Sequence, residues 1–258
     1  MPAVLEADDL CISFGAVIAA DRVTVSVAER EVLGIIGANG AGKTTFVNMV
    51  TGHLKPTRGT IRFLGRDITH LPSRAITQLG ICRSFQIPQV FAELSVLDNL
   101  LMAIGIAKGK GWQAWRPIRH GEAVQQAEEL LARYDLADYA ERKAGLLPQG
   151  VRKLLDIAMA TVRAPRIVLL DEPTSGISFD EKFAVMDILM AALAAVETTV
   201  LFVEHDMEIV ERYAGRVVAF YDGKVIADGE PQSVLADPDV RQYVVGSQLH
   251  RRAAAGGT

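Results

Sequence analysis

Cysteine is nearly absent: Cys11 and Cys82 are the only two in 258 residues, and their separation fits neither a metal site nor a redox pair. A chain of this length buries most of its apolar surface without a disulfide scaffold, so the scarcity points to a reducing compartment. An excess of basic charge is also missing. Lys and Arg number 27 against 31 Asp and Glu, a net charge of −4, which argues against a protein that mainly grips nucleic-acid phosphates. Long apolar runs are missing too. The longest, Ile188 to Val196, falls far short of the roughly 18 residues of a membrane span. The start, Met1-Pro2-Ala3-Val4-Leu5-Glu6, lacks a basic segment followed by an apolar one, so no signal peptide is read. No internal repeat is visible. Together these absences predict a soluble cytoplasmic chain, one still free to bind a membrane protein.

What is present alternates between strand and helix patterns. At about 150 residues per domain the length allows one large domain or two small ones. Val4 to Phe14 and Val23 to Val27 read as strands rich in β-branched residues. Val32-Leu33-Gly34-Ile35-Ile36 is a continuous apolar run, the mark of a strand buried on both faces. After a Gly-rich turn, Phe46, Val47, Met49 and Val50 follow a helical pattern that stops at Gly52. From about Val90 to Val162 the pattern is helical, with one apolar face through Ala123, Val124, Ala127, Leu130 and Leu131. A second face runs through Val151, Leu154, Leu155 and Ala158. Trp112 and Trp115, in the loop between Lys108 and His120, are read as ordinary packing of this helical region rather than as a contact site. Strands return at Ile167 to Leu170 and Val200 to Val203, separated by a helical stretch from Lys182 to Val196, a βα alternation typical of a parallel sheet. Val217 to Phe220 and Lys224 to Ala227 flank Asp222-Gly223, a hairpin signal. The terminal Ala-Ala-Ala-Gly-Gly-Thr is expected to be disordered.

Gly37-Ala38-Asn39-Gly40-Ala41-Gly42-Lys43-Thr44-Thr45 fits G-x-x-x-x-G-K-[ST] and stands after a buried strand and before a helix. The glycines let backbone N–H groups turn inward around phosphate oxygens, and the helix N-terminus adds about half a positive charge. Lys43 is expected to neutralise the β- and γ-phosphates, and the Thr44 hydroxyl to ligate magnesium. Arg166-Ile167-Val168-Leu169-Leu170-Asp171-Glu172 supplies the complement, a buried strand ending in two carboxylates. Asp171 suits Mg2+ beside the phosphate loop, and Glu172 suits a general base on the attacking water. No Asn-Lys-x-Asp sequence is present, which disfavours a small GTPase.

With these two motifs, Gln86 in Arg83-Ser84-Phe85-Gln86 and His205 in Phe202-Val203-Glu204-His205-Asp206-Met207 complete an order in which the chain resembles the nucleotide-binding subunits of ATP-binding cassette (ABC) transporters. The resemblance covers about residues 4 to 246. It implies an α/β fold: a P-loop NTPase (RecA-like) core of ABC type, with an N-terminal antiparallel β subdomain and a helical subdomain inserted at about 89–163. Residues 247–258 would form a disordered tail. It implies ATP and Mg2+ as ligands, Gln86 reaching the metal and the water, and His205 contacting the γ-phosphate, where imidazole donates without a full charge. Phe14 falls where the family places an aromatic under adenine. Gln149 and Gly150 fall in the signature that completes the opposite site of a head-to-tail dimer. Within the family, Phe91-Ala92-Glu93-Leu94-Ser95-Val96-Leu97 and the ending Gly229-Glu230-Pro231…Leu235-Ala236-Asp237-Pro238 are most similar to the ATPases of importers for branched-chain amino acids, urea and amides. Lipopolysaccharide-export ATPases share much of that ending.

Three positions depart from the family pattern. The signature, Leu-Ser-Gly-Gly-Gln in the family, reads Leu147-Pro148-Gln149-Gly150-Val151 here, and proline has neither hydroxyl nor N–H. The loop after the carboxylates, usually closing in Leu-Asp, reads Ser175-Gly176-Ile177-Ser178, and Phe14 replaces the usual tyrosine. The expected function is the energy subunit of a membrane importer, working with separate permease chains on the inner face of the membrane. A second cassette would complete the dimer, a heterodimer being favoured because Pro148 would weaken a homodimer twice. A ribosome- or DNA-acting ABC ATPase, with nucleic acid as partner, fits the single cassette and negative charge poorly. A regulatory cassette that holds ATP with weak hydrolysis is the alternative that Pro148 supports.

Overall fold

The computed structural model describes residues 3–84, 90–108 and 121–246. Gln86, Trp112, Trp115 and the tail after residue 246 lie outside the described residues. In chain order the strands are β1 (Ala3–Phe14), β2 (Val17–Ala28), β3 (Val32–Gly37), β4 (Arg58–Phe63), β5 (Arg66–Asp67), β6 (Ile81–Arg83), β7 (Ile167–Asp171), β8 (Thr199–Val203), β9 (Arg216–Tyr221) and β10 (Lys224–Gly229). The helices are α1 (Lys43–Val50), α2 (Ser73–Leu79), α3 (Val96–Ala107), α4 (Gly121–Arg133), α5 (Gln149–Ala160), α6 (Phe179–Ala194), α7 (Met207–Tyr213), α8 (Pro231–Ala236) and α9 (Pro238–Val240). They form two compact units, Met1–Ile81 with Thr199–Thr258, and Cys82–Thr198.

The first unit holds an antiparallel sheet in the order β2-β1-β4-β5. A second set of strands is built on β3, which pairs in parallel with both β8 and β9. Every residue of β8 is buried, as is β3 from Leu33 onward, which is why both read as unbroken apolar runs rather than alternations. Gly34 lets α7 approach β3 closely: a Cβ there would stand 3.1 Å from the Ala214 methyl. The β9–β10 turn places Asp222 at φ 49° and Gly223 at φ 75°, the two positive angles that a tight hairpin turn asks for.

The second unit is mostly helical, with α3 packed on α4 and α5, and α5 on α6. Ser95 caps α3 by accepting from the Asp98 N–H at 3.0 Å, and its hydroxyl donates to the Asp98 carboxylate at 2.8 Å. Asn99, fully buried, accepts from the Phe91 N–H and donates to the Ser95 carbonyl, which pins the segment between them. Among the described residues Tyr134 is the largest fully buried side chain, and its hydroxyl lies 2.8 Å from that of Thr161. Burial pushes the phenol up to about 12. Because the folded value stands above the unfolded value near 10, the folded protein holds this proton more tightly, so stability falls between pH 10 and 12. Urea midpoints measured across that range should fall by the equivalent of about 2 kcal/mol more in the wild type than in Tyr134→Phe, which has no proton to lose.

Several elements differ from the sequence reading. β2 begins at Val17 rather than Val23, because its first residues pair with the end of β1 as an exposed hairpin with no alternating burial to betray it. α6 begins at Phe179, three residues ahead of Lys182, and ends at Ala194, short of Val196. The sequence reading did not delimit the short elements β4, β5, α2 and α7, nor the 12-residue helix α3.

Candidate functional site

In the first unit the Gly-rich turn is shaped by its neighbours. At Gly37 (φ 155°) a Cβ would lie 2.5 Å from the Phe220 carbonyl oxygen, so β9 admits only glycine there. Gly42 (φ 101°) caps α1 without a side chain, and a Cβ on it would meet the Ala19 carbonyl oxygen of β2 at 2.7 Å. The Gly223 N–H donates to the Ala41 carbonyl at 3.1 Å, which fastens the β9–β10 hairpin to the loop. No side chain caps α1 and Phe46 donates back to Gly42. The N–H groups of Lys43, Thr44 and Thr45 therefore stand at a helix N-terminus suited to an anion. Lys43 is buried, and its ammonium donates to the carbonyls of Gly37 at 2.7 Å and Ala38 at 3.0 Å, which folds it back over the turn. Asn39, Gly40 and Thr44 are exposed, and Thr45 is half-buried.

Phe14 ends β1 opposite Val17 and is 51% exposed, so its side chain is no part of the core. The same hairpin reaches the phosphate loop through Ala19. His205 follows β8 by two residues. Since Ile35 of β3 pairs with Val203 of β8, Gly37 and His205 leave the same edge of neighbouring parallel strands. The His205 N–H donates to the Glu204 carboxylate at 3.0 Å, a buried side chain that the sequence reading passed over. Asp206 caps α7 behind it. Ala38, Asn39, Gly40 and Ala41 also line a small groove with Tyr221 and Asp222. From sequence Asp222 is read only as part of the hairpin turn and Tyr221 not at all, since the turn gives no sign of reaching the loop.

In the second unit Asp171 ends β7, whose preceding four residues are buried. Its carboxylate meets the Arg83 guanidinium at 2.5 Å, with the two side chains 14% and 12% exposed. Glu172 follows in a left-handed conformation, φ 49°, as Arg30, Ala164 and Glu197 do at other turns of the chain. The Ser175 N–H donates to the Glu172 carbonyl and that of Ile177 to Thr174, turning the loop into α6. Pro148 stands at the N-cap of α5, where φ −54° suits it and no hydroxyl is available to cap. Gln149 is exposed and Gly150 is buried. The Gln149 amide lies over Gly176 so closely that a Cβ there would come within 2.4 Å of it. A Cβ on Gly150 would meet Val185 of α6 at 2.8 Å. The two departures in the signature and in the following loop therefore touch each other. Among the described residues no cluster of three or more His, Cys, Asp or Glu could hold a metal ion. No described helix is long and apolar enough to cross a membrane.

The family model described as ABC transporter matches residues 20–175, spanning both the phosphate loop and the Asp171-Glu172 pair. The chain belongs to the ABC transporter family. The high-affinity branched-chain amino acid transport ATP-binding protein BraF of Pseudomonas aeruginosa is 34% identical, the alignment covering 94% of this chain and 98% of that protein. The corresponding LivG protein of Escherichia coli K12 is 32% identical over the same shares. Among solved structures, an ATP-binding cassette of an ABC transporter in its ADP conformation matches with a TM-score of 0.82 at 32% identity, covering 94% of this chain and 98% of that one. cbiO1 from Clostridium perfringens, part of an ABC transporter complex, matches with a TM-score of 0.80 at 26% identity and 94% coverage of each chain. This ABC cassette thus has the α/β architecture expected of it and is an ATP-binding subunit of an ABC transporter.

Proposed function

We propose that this cassette hydrolyses ATP with Mg2+ to drive import of branched-chain amino acids or a related small solute. It would work at the inner face of the cell membrane with separate permease chains. What supports this reading is an anion-ready loop around Lys43 in the first unit and a carboxylate pair at the end of β7 in the second. The kinship with BraF and LivG supports the solute class. Residues 1–246 form the ABC nucleotide-binding domain, including the helical subdomain inserted at about 89–163. Lys43 and the amides of residues 37–45 bind the phosphates, and Phe14 stacks beneath adenine. Glu172 takes the proton of the attacking water and His205 donates to the γ-phosphate. Gln86 reaches the water. Gln149 and Gly150 complete a partner's site. The Thr44 hydroxyl and the Asp171 carboxylate are hard oxygen donors of the kind Mg2+ takes, a small set that leaves most of the coordination to phosphate and water. When bound, the metal neutralises phosphate charge.

Pro148 argues for a heterodimer. The phosphate-binding residues of this chain are intact, whereas the signature it lends lacks a hydroxyl. One charge-assisted hydrogen bond is worth roughly 1.5–3 kcal/mol, about a ten- to hundredfold effect on that site. Pro148 equally favours a second reading, a cassette whose ATP is a regulatory ligand with weak turnover. ATPase assays on the assembled transporter separate them. Mutating the signature serine of a partner cassette to alanine should remove most activity, while Pro148→Ser should change it modestly or raise it. Equal, independent turnover by the isolated chain would contradict the asymmetry, and negligible turnover by the full assembly would favour the regulatory reading.

The permease is expected to dock beside residues 86–93. Glu93 stands well out of the surface, held 3.0 Å from Lys143, and the segment behind it is anchored by Asn99. Glu93→Lys sets two ammoniums against each other at an exposed position, where the cost to folding stays within about 0.5 kcal/mol. Transport per ATP hydrolysed should fall while the melting temperature holds. Unchanged transport and assembly would remove this segment from the docking surface.

A further inference from the structure

We propose that Arg83 is the resident counter-cation of Asp171, a positioning residue that holds the carboxylate in place and yields it when Mg2+ enters with ATP. The inference rests on the reading of Asp171 as a metal ligand. The ion pair is short, 2.5 Å from Arg83 Nη2 to Asp171 Oδ2, and both side chains are largely withdrawn from water at 12% and 14% exposure. A carboxylate in such surroundings is not left uncompensated, because a buried charge without a partner is strongly destabilising. Arg83 therefore supplies the charge that a cation would otherwise supply.

The backbone holds this arrangement firmly. Arg83 is the last residue of β6, and the next residue, Ser84, donates its N–H to the Leu169 carbonyl of β7 at 2.9 Å. The guanidinium is thus carried on a strand end tied to the strand that carries Asp171. Arg83 takes one of the two carboxylate oxygens of Asp171; a dication on the same carboxylate would repel the guanidinium, and at this degree of burial the repulsion is little screened. Entry of Mg2+ would then weaken the hold of Arg83. Arg83 stands three residues before Gln86 in the chain, so the residue displaced by the metal sits at the root of the segment assigned to the water and to the permease. The pair sets a threshold: the metal must outcompete a resident cation before Asp171 is available to it.

The test is equilibrium binding of a fluorescent, non-hydrolysable ATP analogue to the full chain, titrated with Mg2+ and repeated in EDTA. In the wild type, Mg2+ should tighten binding, and Asp171→Asn should blunt that response. In Arg83→Gln the Mg2+ concentration at half-response should fall by about tenfold, the scale of one charge-assisted hydrogen bond, with binding in EDTA unchanged. Arg83→Lys, which keeps the charge but loses the fork, should fall between the two. It carries the test alone should the glutamine variant fail to fold. Coincident Mg2+ curves for the wild type and the Arg83 variants, with the response to Asp171→Asn intact, would overturn the proposal alone. Weaker binding of Arg83→Gln in EDTA would also overturn it, since Arg83 would then be a phosphate ligand. A wild type indifferent to Mg2+ would overturn the metal reading of Asp171 and this proposal with it.

Discussion

Glu172→Gln is expected to lower ATP turnover by about 10² to 10⁴ while leaving nucleotide binding intact, because the amide keeps the shape of the side chain and loses its basicity. The backbone at Glu172 adopts φ 49° and is closed by the Ser175 N–H on its carbonyl. The substitution leaves that turn untouched, since glutamine meets the same backbone limits as glutamate. With hydrolysis stopped and binding preserved, the closed ATP-bound dimer should accumulate and elute as the larger species on size exclusion. Turnover at the wild-type rate would remove Glu172 from the role of base.

Lys43→Ala should act at the earlier step. The ammonium is buried and held by the Gly37 and Ala38 carbonyls, so its donors already converge on the inside of the turn where phosphate oxygens would lie. Alanine at the first position of α1 suits the helix, and the fold should survive. What is lost is the full positive charge against the β- and γ-phosphates. The cost of one or two charge-assisted hydrogen bonds, about 1.5–3 kcal/mol each, weakens ATP binding by at least tenfold. Calorimetric titration of ATP into the variant should show this loss, with a circular-dichroism spectrum unchanged. Equal affinities in the two proteins would mean that the loop amides alone carry the phosphates.

The phosphate loop and the carboxylate pair were legible in sequence because each needs fixed residue types in fixed order. Glycine is demanded at 37 by the Phe220 carbonyl and at 42 by Ala19, and β3 from Leu33 and β7 up to Leu170 are apolar because they are buried. Arg83 was quoted only as a neighbour of Gln86. Its pairing with Asp171, 88 residues away, joins two strands whose sequences say nothing about each other. The contact of Gln149 with Gly176 was hidden for the same reason. Phe14 takes its place beneath adenine from the family resemblance alone, and its exposure keeps it out of the core. β2 was shortened because Val17 and Ile18 face outward, which breaks the alternation that marks a half-buried strand. The short β4, β5 and α2 carry too few apolar residues for periodicity to speak.

The central claim is that ATP hydrolysis on this chain drives inward transport, and the most direct measurement is uptake into sealed proteoliposomes. The assembled transporter, with ATP and Mg2+ trapped on the cassette side and the solute-binding component outside, would be offered radiolabelled branched-chain amino acids. The account predicts accumulation against the gradient in the wild type and none when this chain carries Glu172→Gln. Accumulation that persists at the wild-type rate with Glu172→Gln in place would contradict it.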